Sequence, residues 1–187
     1  TGTTVSSAAI SGFIGFSLSC MLQKNFNLTL IDNFSNYYDV NLKKKRAEIL
    51  KKNGNKILKI DICNKDKLNK ILNSKKFFAV IHLAAQAGVR YSIEEPDTYI
   101  ENNIIGSFNL LDCLKNRNIK HILIASSSSV YGSRKNKKRF AENSTSDYPV
   151  SLYAATKKSV ESIAHSYSHL YNLPITVFRF FTVYGPW

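Results

Sequence analysis

The strongest constraint on this chain is the regular exchange of two hydrophobic periods. Short β-prone runs at 28–31, 57–60, 77–83, 121–125 and 175–180 alternate with longer stretches at helical spacing. Residues 12–24 gather Phe13, Phe16, Leu18, Met21 and Leu22 near one face. Residues 98–116 carry Ile100, Ile104, Phe108, Leu111 and Leu114, and 151–171 carry Leu152, Ala155, Val160, Ile163, Ala164 and Tyr167. Parallel strands need a helical crossover to return the chain, so this exchange is the mark of βαβ units. The expected fold class is α/β, a doubly wound parallel sheet covered on both faces. No repeat or low-complexity linker interrupts the pattern, and 187 residues suit one domain.

Composition narrows the setting. The apolar fraction of 44% supplies a sizeable core and excludes disorder. Cys20, Cys63 and Cys113 are an odd set in apolar contexts without metal-ligand spacing. They read as reduced thiols in a reducing compartment, so a cytoplasmic location and no metal are expected. The first 23 residues hold no charge, but five serines and two glycines between Val5 and Leu22 weaken any membrane insertion. That stretch reads as a buried strand, turn and helix. Residues 43–76 carry 13 Lys/Arg against three acids, which is +10 of the net +13, and Arg134–Arg139 adds a second basic cluster. A solvated face is the favoured reading, because the aromatic interleaving of single-strand nucleic-acid binders is missing there. No nucleic-acid partner is expected.

Three motifs carry chemistry. Gly12-Phe13-Ile14-Gly15 lies between a possible strand and the first helix, where glycines let backbone N–H groups approach a pyrophosphate. Asp32 follows Gly12 by twenty residues at the end of the next β-prone run, the place of an acid that binds an adenosine ribose. An acid there repels a 2′-phosphate and favours NAD over NADP. Tyr153 and Lys157 stand at i and i+4 on one helical face, where an ammonium can lower a phenol's pKa and make it a proton acceptor. Ser126 to Ser129 end the fourth β-prone run at the expected carboxyl edge of the sheet. A serine there can share the substrate proton with the tyrosine, and a turn or capping role suits two of the four.

These residues resemble the extended short-chain dehydrogenase/reductases that act on nucleotide sugars, and most of all the UDP-glucuronate 4-epimerases. The resemblance rests on 12–15, on Ile-Asp-Asn-Phe-Ser-Asn-Tyr-Tyr-Asp-Val-Asn-Leu-Lys at 31–43 and on His-Leu-Ala-Ala-Gln-Ala-Gly-Val-Arg-Tyr-Ser at 82–92. It continues at 125–132, 151–158 and 179–187. It implies an NAD-binding Rossmann-like domain over residues 1–187, with a substrate domain expected downstream. It makes Tyr153 the base, Lys157 its partner and Ser127 the catalytic serine. Gly12, Phe13, Ile14, Gly15, Asp32, Asn33, Asp61, Ile62, Leu83, Ala84, Ala85, Asn103 and Phe181, with Tyr153 and Lys157, would contact the cofactor. Arg90, Ser92, Ser128, Ser129 and Thr182 would face the substrate. The implied reaction is a 4-epimerisation of UDP-glucuronate to UDP-galacturonate through a transient 4-keto sugar. A homodimer formed by the helices at 98–116 and 151–171 is implied as well.

The same scaffold could serve a UDP-glucose 4-epimerase, a UDP-glucuronate decarboxylase or a 4,6-dehydratase, although the dehydratase's Asp-Glu pair after the serine run is missing. A non-catalytic dinucleotide-binding module with a basic face is the rival of another class. Two departures from the family bear on activity. Ala9 stands where the first glycine of the family's turn is expected, unless residues 3–9 are an insertion. The second is length, because family members continue well past Trp187.

Overall fold

The computed structural model describes residues 4–8, 12–133 and 139–186. Six strands form one sheet: β1 Thr4–Ala8, β2 Asn27–Asp32, β3 Lys56–Lys59, β4 Ala79–His82, β5 His121–Ser127 and β6 Ile175–Phe180. Their order across the sheet is β3-β2-β1-β4-β5-β6, and every pairing is parallel. The expected doubly wound sheet is therefore the observed one. All five runs expected as strands hold strands, with the third beginning only at Ala79. Residues 4–8 are themselves the middle strand, paired with β2 and β4, so they are not a loop insertion. Ala9 and the basic residues 134–138 lie outside the described residues.

Helices α1 Phe13–Leu22 and α2 Val40–Lys52 cover one face of the sheet. There Phe16 and Leu50 pack on Leu28, Leu30, Ala79 and Ile81. Helices α3 Lys65–Asn73, α6 Gly106–Leu114 and α7 Leu152–Tyr171 cover the other, with Leu68, Leu72, Leu111, Leu114 and Val160 on Ile31, Val80, Ile122 and Ile124. Neighbouring strand residues thus point to opposite layers, as a two-sided sheet demands. The cover changes sides where the strand order reverses, between β1 and β4. In such sheets the crevice at that reversal, at the carboxyl ends of the strands, is the ligand site.

Two short helices, α4 Tyr91–Glu94 and α5 Pro96–Tyr99, precede α6. Between α5 and α6 the helix widens into a π segment, Ile100–Ile105, so 98–116 is one helical path with an inserted turn. The uncharged N-terminal stretch is β1 and α1. Among the described residues, no helix is long and apolar enough to cross a membrane.

The lysine-rich segment 43–76 forms α2, β3 and α3 along one edge of the sheet. Lys56 and Lys59 flank β3, the edge strand, where charged side chains discourage pairing with another chain. Most lysines here are solvated as expected, but Lys43 and Arg46 are buried, at 7% and 6% exposure.

Candidate active site

A cavity of about 950 Å³ runs along the carboxyl edge of the sheet. Gly12 to Gly15 form part of its floor, where Gly12 caps α1 in an extended conformation with no side chain across the helix end. At one end stands Asp32, buried at the end of β2, whose Oδ1 accepts the Phe34 N–H at 2.8 Å. Asn33 lies beside it and donates from Nδ2 to Asp61 Oδ2 at 2.9 Å. Asp61 also accepts the Cys63 N–H, so its carboxylate organises the loop after β3 while the adjacent Ile62 lines the cavity. The Lys43 ammonium reaches back to Ser35, 2.7 Å from its carbonyl and 3.1 Å from its hydroxyl. Burial lowers the Lys43 pKa, and the Asp32 charge opposes that shift.

At the other end are Ser127, Tyr153 and Lys157. Ser151 caps α7 by accepting the Ala154 N–H at 3.1 Å, which sets Tyr153 in the first turn and Lys157 one turn later. Ser127 is the last residue of β5 and lies close enough to the Tyr153 phenol to favour its ionised form. Its Oγ also donates to Ser129 Oγ at 3.2 Å. The serine run divides its labour. Ser126 turns away to Glu161 at 2.6 Å, Ser127 faces the cavity, and Ser128 and Ser129 begin a 3₁₀ turn, Ser128–Tyr131.

Electrostatics at this end differ from the sequence expectation. Burial raises the Tyr153 pKa, and the nearby Ser127 hydroxyl only partly opposes it. Lys157 is buried as well, donates to the Ala125 carbonyl at 2.8 Å, and is pushed down to about 8. Its ammonium is directed at that carbonyl, and burial, not the Lys157 charge, dominates at the phenol. His82 lies behind it, with Nε2 2.8 Å from Ser107 Oγ. Burial and then the Lys157 charge push His82 down to about 3, so it stays neutral.

The Lys157 shift has a measurable consequence. Its folded pKa of about 8 lies below the ordinary 10.5, so between those values the unfolded chain binds more protons. Stability from this group therefore rises with pH across that window. Lys157→Met should be at least as stable as the parent at pH 7 and lose that rise. Urea melts of both proteins from pH 7 to 10 check this, and parallel profiles would refute it.

Leu83, Ala84 and Ala85 leave β4 and line the middle of the cavity, and Phe181 and Thr182, after β6, line its far wall. Asn103 is buried beneath the wall rather than in it. Its amide donates to the Gln86 carbonyl and to Thr156 Oγ1, and its carbonyl accepts the Gln86 N–H at 2.7 Å. The π segment thus ties the loop after β4 to the helix of Tyr153 and Lys157. Arg90 is exposed at the head of α4, and Ser92 is buried with its hydroxyl donated to the Val89 carbonyl at 2.6 Å. Neither lines the cavity, and neither do Ser128 and Ser129. Tyr37, Tyr38, Lys43 and Arg46 do line it, although none of them had been given a role. Among the described residues no cluster of ligating side chains could hold a metal ion.

A parallel sheet in this strand order, with a glycine turn after β1 and a tyrosine–lysine pair on the helix after β5, defines the Rossmann-like short-chain dehydrogenase/reductase class. Within that class, residues 9–187 match the model of the GDP-mannose 4,6 dehydratase family, and the chain belongs to it. It is 46% identical over 188 residues to UDP-glucuronate 4-epimerase 2 of Arabidopsis thaliana, covering 100% of this chain and 43% of that protein. It is 49% identical over 178 residues to Protein CapI of Staphylococcus aureus, covering 95% of this chain and 53% of that one. The chain thus spans about half the length of the curated relatives it matches. Among solved structures it resembles UDP-glucuronic acid 4-epimerase from Bacillus cereus in complex with UDP-glucuronic acid and NAD. The TM-score is 0.91 at 34% identity, over 98% of this chain and 58% of that one.

Proposed function

We propose that the complete protein is an NAD-dependent nucleotide-sugar 4-epimerase that converts UDP-glucuronate to UDP-galacturonate. One observation carries the reading: a single cavity joins Asp32 at one end to Ser127, Tyr153 and Lys157 at the other. The groups present fit a dinucleotide laid along it. Asp32 and Lys43 suit the adenosine ribose, Asn33 and Asp61 shape its loop, and Ile62 flanks the adenine. The Gly12–Gly15 turn suits the pyrophosphate. Leu83 to Ala85 and Phe181 wall the middle, Asn103 holds the loop behind them, and Tyr153 and Lys157 suit the nicotinamide ribose. The similarity to epimerases named for UDP-glucuronate supports the choice of sugar.

Bound NAD would supply the nicotinamide that takes up and returns a hydride at C4 of the sugar. The chain's own residues handle the proton. Tyr153 as phenolate accepts it from the 4-hydroxyl, Ser127 beside it on the cavity wall shares it, and the same pair returns it. No outside oxidant is consumed. Thr182 lines the cavity where the sugar would lie, whereas Ser128, Ser129, Arg90 and Ser92 lie outside it and would act on the sugar only from its margin. Residues 1–187 form the cofactor domain of this enzyme, and the substrate domain is supplied by further chain. Ile100, Ile105 and Phe108 are partly exposed on the 98–116 helical path, which supports a homodimer through that surface. The free thiols Cys20, Cys63 and Cys113 support a cytoplasmic protein.

Mass spectrometry of denatured protein tests the cofactor, and chromatography of the products tests the sugar. About one NAD(H) per chain and conversion of UDP-glucuronate to UDP-galacturonate without added oxidant are expected. Folded protein without NAD(H) overturns the cofactor reading. A UDP-pentose formed with CO2 assigns the scaffold to decarboxylation, and turnover of UDP-glucose alone assigns it to the other epimerase.

A further inference from the structure

The loop of 33–39 leaves β2 and the loop of 83–90 leaves β4, and in the sheet β1 lies between those strands. The two loops nevertheless meet. The Tyr37 ring lies 4.7 Å from the Tyr91 ring, tilted by 37°. The Tyr37 hydroxyl occupies the place that a Cβ on Gly88 would take, and Gly88 has a φ of +101°. Gly88 is in turn fixed from below, where the Tyr99 hydroxyl lies 2.6 Å from its carbonyl and 2.7 Å from that of Ala87. Tyr99 is wholly buried and packs edge-on against Tyr153 at 6.1 Å. A line of phenols thus runs from the β2 loop, over the crevice, to the proposed catalytic base.

Two loops on opposite sides of β1 meet beyond its carboxyl end, and Tyr37 and Gly88 line the same cavity as Gly12–Gly15, where the pyrophosphate would lie. A dinucleotide reaching from Asp32 to Lys157 has to pass beneath the contact. We infer that Tyr37 is a positioning residue, clasping the β2 loop to Gly88 so that the dinucleotide is retained between turnovers. The inference rests on the cofactor reading above. It suits a reaction that returns its hydride to the same sugar, because a cofactor lost in mid-cycle strands an oxidised substrate. It also accounts for glycine at position 88, where both the backbone angle and the Tyr37 hydroxyl exclude a side chain.

The test is a double-variant cycle in the complete protein, with release of NAD(H) followed by exchange into a fluorescent etheno-NAD chase. Tyr37→Ala and Gly88→Ala should each speed release about tenfold. That factor corresponds to about 1.4 kcal/mol, the scale of one aromatic contact. Tyr37→Phe keeps the ring, empties the space in front of Gly88, and should stay within about threefold of the parent. The variant carrying both Tyr37→Phe and Gly88→Ala should release more slowly than Gly88→Ala alone, because the methyl then has room. Parental release from Tyr37→Ala, or a double variant as fast as Gly88→Ala, overturns the clasp. Parent protein without NAD(H) would sink the cofactor reading instead. Melting temperatures of the same four proteins still decide the contact: a double variant melting above Gly88→Ala supports it, and additive losses refute it.

Discussion

Tyr153→Phe should abolish epimerisation in the complete protein while leaving NAD(H) bound. The substitution removes one oxygen from a ring that is held edge-on to Tyr99 and seated in the first turn of α7. The ring contact and the Ser151 cap survive, so the cavity keeps its shape. What disappears is the phenol oxygen beside Ser127, the proposed acceptor of the sugar hydroxyl's proton. A positioned base contributes about 10²–10⁴ in rate, and here the same group also returns the proton, so a loss of at least ~10³ is expected. It should fall equally on kcat and kcat/KM, because the interaction is made in the transition state. Burial raises the Tyr153 pKa, so the parent should also gain activity as pH rises above neutrality. The assay is conversion of UDP-glucuronate with NAD(H) content measured on the same sample. A variant within tenfold of the parent removes Tyr153 from the mechanism, and one lacking NAD(H) reassigns it to cofactor binding.

The fold was legible because it is written in local periods. β2, β5 and β6 are continuous apolar runs, and α1, α6 and α7 present apolar stripes, so their identity needs no knowledge of partners. Helices α2 and α3 were not legible, and α2 shows why. Of its four inward residues two are Lys43 and Arg46, which break the apolar stripe and leave a lysine-rich string that reads as solvent-facing. They are buried because the cavity, and not the core, lies against that face, which no local pattern reports. The π segment was equally hidden, since a wider turn shifts the phase of a helix without changing its composition.

At the site, Gly12, Asp32, Tyr153 and Lys157 were found by spacing and Ser127 by the resemblance, and all line one cavity. The resemblance also pointed at residues that act from outside it. Asn103, Asp61 and Ser92 spend their hydrogen bonds on loops, and only the fold reveals that division. Tyr37 carried a signal that spacing could not decode. It sat in the 31–43 segment that helps carry the resemblance, yet its partner is 51 positions away at Gly88.

Glu161 and Arg179 are the clearest case of a pair invisible in the sequence, and Glu161→Ala should cost this chain about 3–5 kcal/mol. Glu161 Oε1 accepts Arg179 Nε at 2.9 Å and Ser126 Oγ at 2.6 Å, and Oε2 accepts Arg179 Nη2 at 2.9 Å. Arg179 also donates to the Glu142 carbonyl and to Ser146, and its guanidinium lies 4.7 Å from the Tyr131 ring centroid. One carboxylate therefore joins α7, β5 and β6 to the segment after the serine run. Removing it strands a partly buried cation and a buried hydroxyl, which is why the loss exceeds that of a surface pair. Replacing both partners, Glu161→Leu with Arg179→Met, should recover most of the stability, because neither charge is then left unpaired. Burial raises the Glu161 pKa, but the Arg179 and Ser126 hydrogen bonds outweigh it and hold the carboxyl below its ordinary value. The ion pair's contribution is thus fully present above that value and fades as acid protonates Glu161, so the gap between parent and Glu161→Gln should close below about pH 4. Urea melts of the four proteins at pH 7 and pH 3 measure each term. A single substitution costing under 1 kcal/mol, or a double one as damaging as Glu161→Ala, would show that the clamp does not hold β5 in place. Ser127, the proposed catalytic serine, follows Ser126 on that strand, so loosening the clamp would reach the site through β5.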